Sequence, residues 1–91
     1  MSPSARRIPK SVHSPEQRAL RELLKAARNE AGLTQQELAD RLDNHQSFVA
    51  KYEGGERRLD VVEFIRVALA MEADPARIIR ALVKETGRIG A

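Results

Sequence analysis

The side chains of this chain that could do chemistry are hydrogen-bonding ones, gathered between residues 34 and 58. Gln46, Ser47 and Lys51 fall on one side of a short helical stretch whose other side carries Val49 and Tyr52. Gln46 and Lys51 are five positions apart, roughly 7.5 Å along a helix. One face therefore presents an amide, a hydroxyl and an ammonium in a row. Such a row recognises by hydrogen bonding. Covalent chemistry has no comparable set: there is no glycine-rich phosphate loop, no histidine paired with a nucleophile and no carboxylate cluster in a recognisable setting. No cysteine is present, so neither a disulfide framework nor a thiolate metal site is available. His13 and His45 cannot hold zinc without further ligands. The expectation is a binding protein that is not an enzyme, with no catalytic residues, no metal and no cofactor.

Ninety-one residues allow a single domain with one modest core. No apolar run is long enough to span a bilayer, and the N-terminus lacks an apolar leader. A cytoplasmic protein without membrane contact is expected. The pI of about 9.8 points toward nucleic acid, but the position of the charge matters more than its sum. Arg6, Arg7 and Lys10 stand in the first fifteen residues without an acid. From Glu16 onward 13 basic residues face 13 acidic ones. Residues 34–58 hold four basic groups, Arg41, Lys51, Arg57 and Arg58, against five acidic ones. Sequence-independent attraction to phosphate is therefore modest unless the N-terminal segment adds to it.

The elements that must position the polar row are all helical. Residues 1–13, with Pro3, Pro9 and three basic side chains, read as a flexible basic arm. It is either a solvated tail or a segment that follows phosphates or enters the minor groove. A domain spans 14–86, and a short tail covers 87–91. Ser14-Pro15-Glu16-Gln17 opens the first helix as cap, first helical residue and capping box. Leu20, Leu23, Leu24, Ala27 and Ala31 give its apolar face, and Gly32 ends it. Thr34 and Glu37 form a second capping box, flanked by the staple Leu33–Leu38, and Leu38, Ala39 and Leu42 face inward. A third helix begins near Gln46, with Val49 and Tyr52 as core contacts, and ends at Gly54-Gly55. Asp60 and Glu63 box the fourth, with Leu59 and Phe64 as staple; Val61, Phe64, Ile65, Ala68, Leu69 and Met71 mark it as the most apolar. Asp74-Pro75 starts a fifth, carrying Ile78, Ile79, Leu82 and Val83 until Gly87. Five helices and no strand pattern give an all-α class.

GLTQQELADRL, QSFVAKYEGGERR and LDVVEFIRVALAMEADP together resemble the phage-repressor type of helix-turn-helix domain, the Cro/XRE family, over about residues 17–82. The resemblance implies a compact five-helix, lambda-repressor-like bundle that binds double-stranded DNA and regulates transcription, most simply as a repressor. It implies that Gln35, opening the second helix, meets a phosphate at a helix N-terminus. It implies that Gln46 reads a base edge, adenine N6 and N7 being the fitting partner, with Ser47 and Lys51 at the other base-edge positions. Arg58 and Arg57 match the exit-loop positions that grip the backbone, and His45 could add a phosphate contact. Arg28 and Glu53 match a buried ion pair of the family. The alternative is an exposed pair worth less than about 1 kcal/mol.

Three positions depart from the family pattern. Asp43 stands where glycine is usual, so either it adopts the left-handed conformation or the turn shifts by a residue. His45 replaces a commoner serine, threonine or proline. Phe48 replaces a small polar residue and either touches a thymine methyl or is half-buried against the second helix. A homodimer on a palindrome is the expected form. Ile78, Ile79, Leu82, Val83 and Ile89 supply either its self-complementary surface or merely the domain core. Two other functions fit the same fold: an antitoxin that binds a toxin partner and autoregulates its operon, and the controller of a restriction–modification operon.

Overall fold

The computed structural model describes residues 14–87. The basic arm over 1–13, Ile89 and the rest of the tail beyond Gly87 lie outside the described residues. Five helices follow one another: α1 Pro15–Glu30, α2 Gln35–Arg41, α3 Gln46–Glu53, α4 Val61–Ala70 and α5 Pro75–Thr86. There is no strand among the described residues. α1 packs on α3 and α5, α2 on α3 and α4, and α4 on α5.

The helix starts are set by side chains that satisfy backbone N–H groups left over in each first turn. Ser14 Oγ accepts from Gln17 N at 3.2 Å, and Pro15 fills the first helical position. Thr34 and Glu37 form a complete capping box: Glu37 N donates to Thr34 Oγ1 at 3.0 Å, and Thr34 N donates to Glu37 Oε1 at 2.8 Å. Asp60 and Glu63 repeat it at α4, at 2.7 and 3.0 Å. Asp74 Oδ1 caps α5 through Ala76 N. Leu33 and Leu59, each preceding a cap, are half-buried against the core that contains Leu38 and Phe64. α3 is the exception, because its cap residue His45 makes no side-chain capping bond.

Four helix ends share one geometry. Gly32, Asp43, Gly55 and Glu72 each take positive φ, at 73°, 53°, 83° and 57°. The residue after each donates its N–H back five positions, Leu33 to Arg28, Asn44 to Ala39, Glu56 to Lys51 and Ala73 to Ala68. This is the Schellman ending. Asp43 thus occupies the left-handed position itself, and the turn between α2 and α3 is not shifted.

The core is Leu24, Leu38, Ala39, Val49, Tyr52, Phe64, Val67, Ala68, Met71 and Ile78. α3 has only eight residues, too few to persist alone. Its hold comes from Val49 and Tyr52, both essentially fully buried; a side chain the size of Val49 gains about 1.5–3 kcal/mol on burial. Ile78 belongs to this core at 9% exposure. It is therefore removed from the surface set read from the sequence, because its position on α5 faces α1.

Candidate nucleic-acid interface

At the root of the site lies the pair Arg28–Glu53. Arg28 Nε donates to Glu53 Oε2 at 2.7 Å and Nη2 to Oε1 at 3.0 Å, while Nη1 donates to the carbonyl of Leu33 at 2.8 Å. The two side chains are only 11% and 4% exposed. The fork therefore ties the last turn of α1 to the last residue of α3 and to the entry of α2. The bond to Glu53 raises the Arg28 pKa above its ordinary value, against the opposing effect of burial. Burial raises the pKa of the neighbouring Tyr52 phenol, whose charged form is the deprotonated one.

Glu53 then orients two amides in series. Gln35 Nε2 donates to Glu53 Oε1 at 3.0 Å, and Gln46 Nε2 donates to Gln35 Oε1 at 2.7 Å. A carboxylate only accepts, so the Gln35 amide must turn its nitrogen toward Glu53 and its oxygen outward. That oxygen in turn draws the nitrogen of Gln46. Gln46 is left with one amide hydrogen and its carbonyl oxygen on the exposed side. One donor beside one acceptor is the pattern that adenine N7 and N6 complement in the major groove. The buried charge on Glu53 thus sets the polarity of an exposed amide on another turn of the same helix.

Ser47 and Lys51 are exposed beside Gln46, and Ala50 is half-buried between them. Among the described residues, the side chains of Ser47, Lys51 and Arg58 make no hydrogen bond or ion pair, so all three remain available to a ligand. His45 is exposed and caps nothing; its N–H donates to Asn44 Oδ1 at 2.7 Å. Gln35 is half-buried, with both ends of its amide already bonded, so a phosphate could reach only its second amide hydrogen or the backbone of the α2 N-terminus.

Phe48 of α3 takes the half-buried of its two expected placements, and Arg57 beside it has partners within the domain. The Phe48 ring stands edge-on to Tyr52, 5.6 Å between centroids at 66°, and its face is covered by the Arg57 guanidinium at 4.8 Å. Arg57 also forks onto Glu63 at 3.0 and 2.7 Å. These bonds, first from Arg57 and then from the Asp60 N–H, hold the Glu63 pKa below the ordinary carboxyl range. Arg41 leaves the site altogether, donating to the carbonyl of Ala70 at 2.9 Å at the end of α4. The partners Gln35–Glu53 and Arg41–Ala70 were not readable from spacing alone, since they bridge 18 and 29 residues.

On another side of the molecule, Val61, Val62, Ile65 and Leu69 of α4 and Ile79 and Val83 of α5 are exposed. A groove of about 290 Å³ runs beside them, lined among others by Leu20, Phe64, Ile79 and Leu82. Of the surface set read from the sequence, Ile79 and Val83 are here, and Leu82 is half-buried in the groove. The α4 stripe had a signal in its spacing: positions 61, 62, 65 and 69 form an apolar line additional to the core line 64, 67 and 68. No helix among the described residues is long and apolar enough to cross a membrane.

The helix-turn-helix family model matches residues 24–78. An XRE-family like protein from Pseudomonas syringae pv. tomato str. DC3000 is 45% identical, over 82% of this chain and 94% of that one, with a TM-score of 0.76. The restriction-modification controller protein C.AhdI from Aeromonas hydrophila is 27% identical, over 66% and 91%, at 0.61. The controller protein C.Esp1396I, solved as a tetramer with its natural 35 base-pair operator, is 22% identical, over 80% and 96%, at 0.72 and shares the fold. Among curated protein sequences none matches the chain. The family match covers the turn, both flanking helices and the core that holds them, and the chain belongs to the XRE family of helix-turn-helix, DNA-binding regulators of transcription.

Proposed function

We propose that this regulator is a repressor in the cytoplasm, reading the major groove through Gln46, Ser47 and Lys51 as a homodimer on a palindromic operator. It acts by binding alone, without catalysis, metal or cofactor. The observation that carries the reading is the bond from Gln46 to Gln35, because it leaves one exposed amide pre-set as donor beside acceptor. Preorganisation of this kind favours one base over others and not merely DNA over water. Arg58 supplies backbone affinity, with His45 and the α2 N-terminus at Gln35 beside it. The second copy docks on the face of Ile65, Leu69, Ile79 and Val83, an apolar surface that the described part of the chain leaves uncovered. An isologous contact there gives the two-fold symmetry that a palindrome requires.

The test is binding of Gln46→Ala and Arg58→Ala to a panel of duplexes differing at single base pairs. Gln46→Ala loses about 1–3 kcal/mol and relaxes preference at one position of each half-site, whereas Arg58→Ala weakens every duplex alike. Equal weakening by both variants sinks the reader role of Gln46. Within this reading, the 27% identity to C.AhdI favours control of a restriction–modification operon over an antitoxin role. Sequencing the flanking genes decides between them.

A further inference from the structure

One guanidinium at the exit of α3 joins three parts of the domain. Arg57 lies over the Phe48 ring, with Cζ 4.8 Å from the centroid. Its Nη1 donates to Glu63 Oε1 and to the carbonyl oxygen of Arg58, both at 3.0 Å, and Nη2 donates to Glu63 Oε2 at 2.7 Å. Glu63 Oε1 is also the atom that accepts from Asp60 N in the α4 capping box. Phe48, on α3, leans its edge on the buried Tyr52. The reading helix, its exit loop and the first turn of α4 are therefore clamped through a single side chain.

We propose that Arg57 is a positioning residue that fixes α3 against α4 and does not bind DNA phosphate. The proposal rests on the DNA-reading role given above. Its first support is charge. Glu63 neutralises the guanidinium at bonding distance, and a phosphate brought to Arg57 would also face that carboxylate. Arg57 therefore releases little of the counterion atmosphere that phosphate contacts release.

The second support is geometry. Three of the five Arg57 N–H groups are already bonded within the protein, and the stacked, forked arrangement is one that only arginine makes. The third is placement. The core holds α3 through Val49 and Tyr52, and the amide bridge holds its beginning at Gln46. Phe48 lies on the helix between the Lys51 and Tyr52 directions, so a cover on Phe48 restrains rotation of the reading face. The other end of the clamp is the turn that leads into Val61 and Ile65 on the proposed dimer face. The clamp therefore sets each reading helix relative to its two-fold axis.

The experiment uses the full chain, the strongest duplex recovered from a random pool and a scrambled duplex of the same composition. Affinity for both is measured over a salt series for the wild type, Arg57→Ala, Glu63→Gln and Arg58→Ala, with circular-dichroism melts to confirm folding. Arg57→Ala leaves the slope of log K against log salt unchanged and reduces the selected-to-scrambled ratio about tenfold, within what one bidentate base contact carries. Glu63→Gln keeps the cap acceptor, so it serves even where Arg57→Ala does not fold. It reduces the same ratio and steepens the slope by about 0.9, because the released Arg57 gains one phosphate. Arg58→Ala flattens the slope by about 0.9 and leaves the ratio intact. The clamp is overturned if Arg57→Ala flattens the slope and weakens both duplexes alike, or if the ratio survives Arg57→Ala and Glu63→Gln. A wild type that binds both duplexes equally overturns the DNA-reading role itself, and the clamp with it.

Discussion

Glu53 accepts three hydrogen bonds at one buried carboxylate, two from Arg28 and one from Gln35. Arg28 offsets the charge, and Gln35 passes its polarity outward to Gln46. Breaking such a pair on one side leaves an uncompensated buried charge, so Arg28→Ala and Glu53→Ala each lose about 3–5 kcal/mol of stability. The double variant loses less than the two losses added, since neither partner is then left alone. Denaturant melts of the four proteins check this; strict additivity would show that the pair is energetically idle. The matching positions Arg28 and Glu53 were visible in the sequence, as were Gln35 and Gln46. The bond between the two glutamines was not, because an amide carries no sign of which end points where. Only the carboxylate behind Gln35 decides that.

At the scale of elements, the helix boundaries follow from caps and left-handed endings. Thr34 with Glu37 and Asp60 with Glu63 were legible because a capping box is a local rule with a fixed spacing. Gly32 and Gly55 were legible as endings for the same reason. Asp43 and Glu72 were harder, since neither residue announces positive φ. Their helices end in the same Schellman geometry as the two at glycine, with a side chain at positive φ at some expense. Aspartate tolerates this conformation better than glutamate does. Glu72→Gly therefore stabilises the domain by about 1 kcal/mol and Asp43→Gly by less, the strain of a side chain at positive φ being relieved in both. Thermal melts test the order. Glu72→Gly being neutral or destabilising would mean that the exposed contact of Glu72 with Arg41, 3.6 Å apart, outweighs the backbone strain.

At the scale of the whole molecule, the described part of the chain buries one apolar face of α4 and leaves another open. A sequence shows that Val61, Val62, Ile65 and Leu69 are apolar, but it does not show whether this chain or another covers them. For that reason Ile78 was read with Ile79 and Val83, and only packing against α1 separates it from them. If a second copy covers the open face, a charge placed there separates the copies without disturbing the core. Ile65→Asp and Val83→Asp each convert the dimer to a monomer at micromolar concentration and keep the wild-type helical signal. Light scattering of a wild type that is monomeric at the same concentration removes the dimer from the account. The charge-balanced reader makes this matter for DNA as well, because between residues 34 and 58 only Lys51 and Arg58 are basic side chains without an acidic partner or a bond, and a single copy then has little affinity for search.

Selection of duplexes from a random pool decides whether α3 reads sequence through an oriented Gln46 in a symmetric pair. Wild type and Gln46→Ala are taken through the same rounds. Wild type recovers an inverted repeat with half-site centres about one helical turn apart. Gln46→Ala then recovers the same repeat with one symmetric pair of positions degenerate. Recovery of no repeat by wild type, or of an unchanged repeat by Gln46→Ala, would contradict that reading.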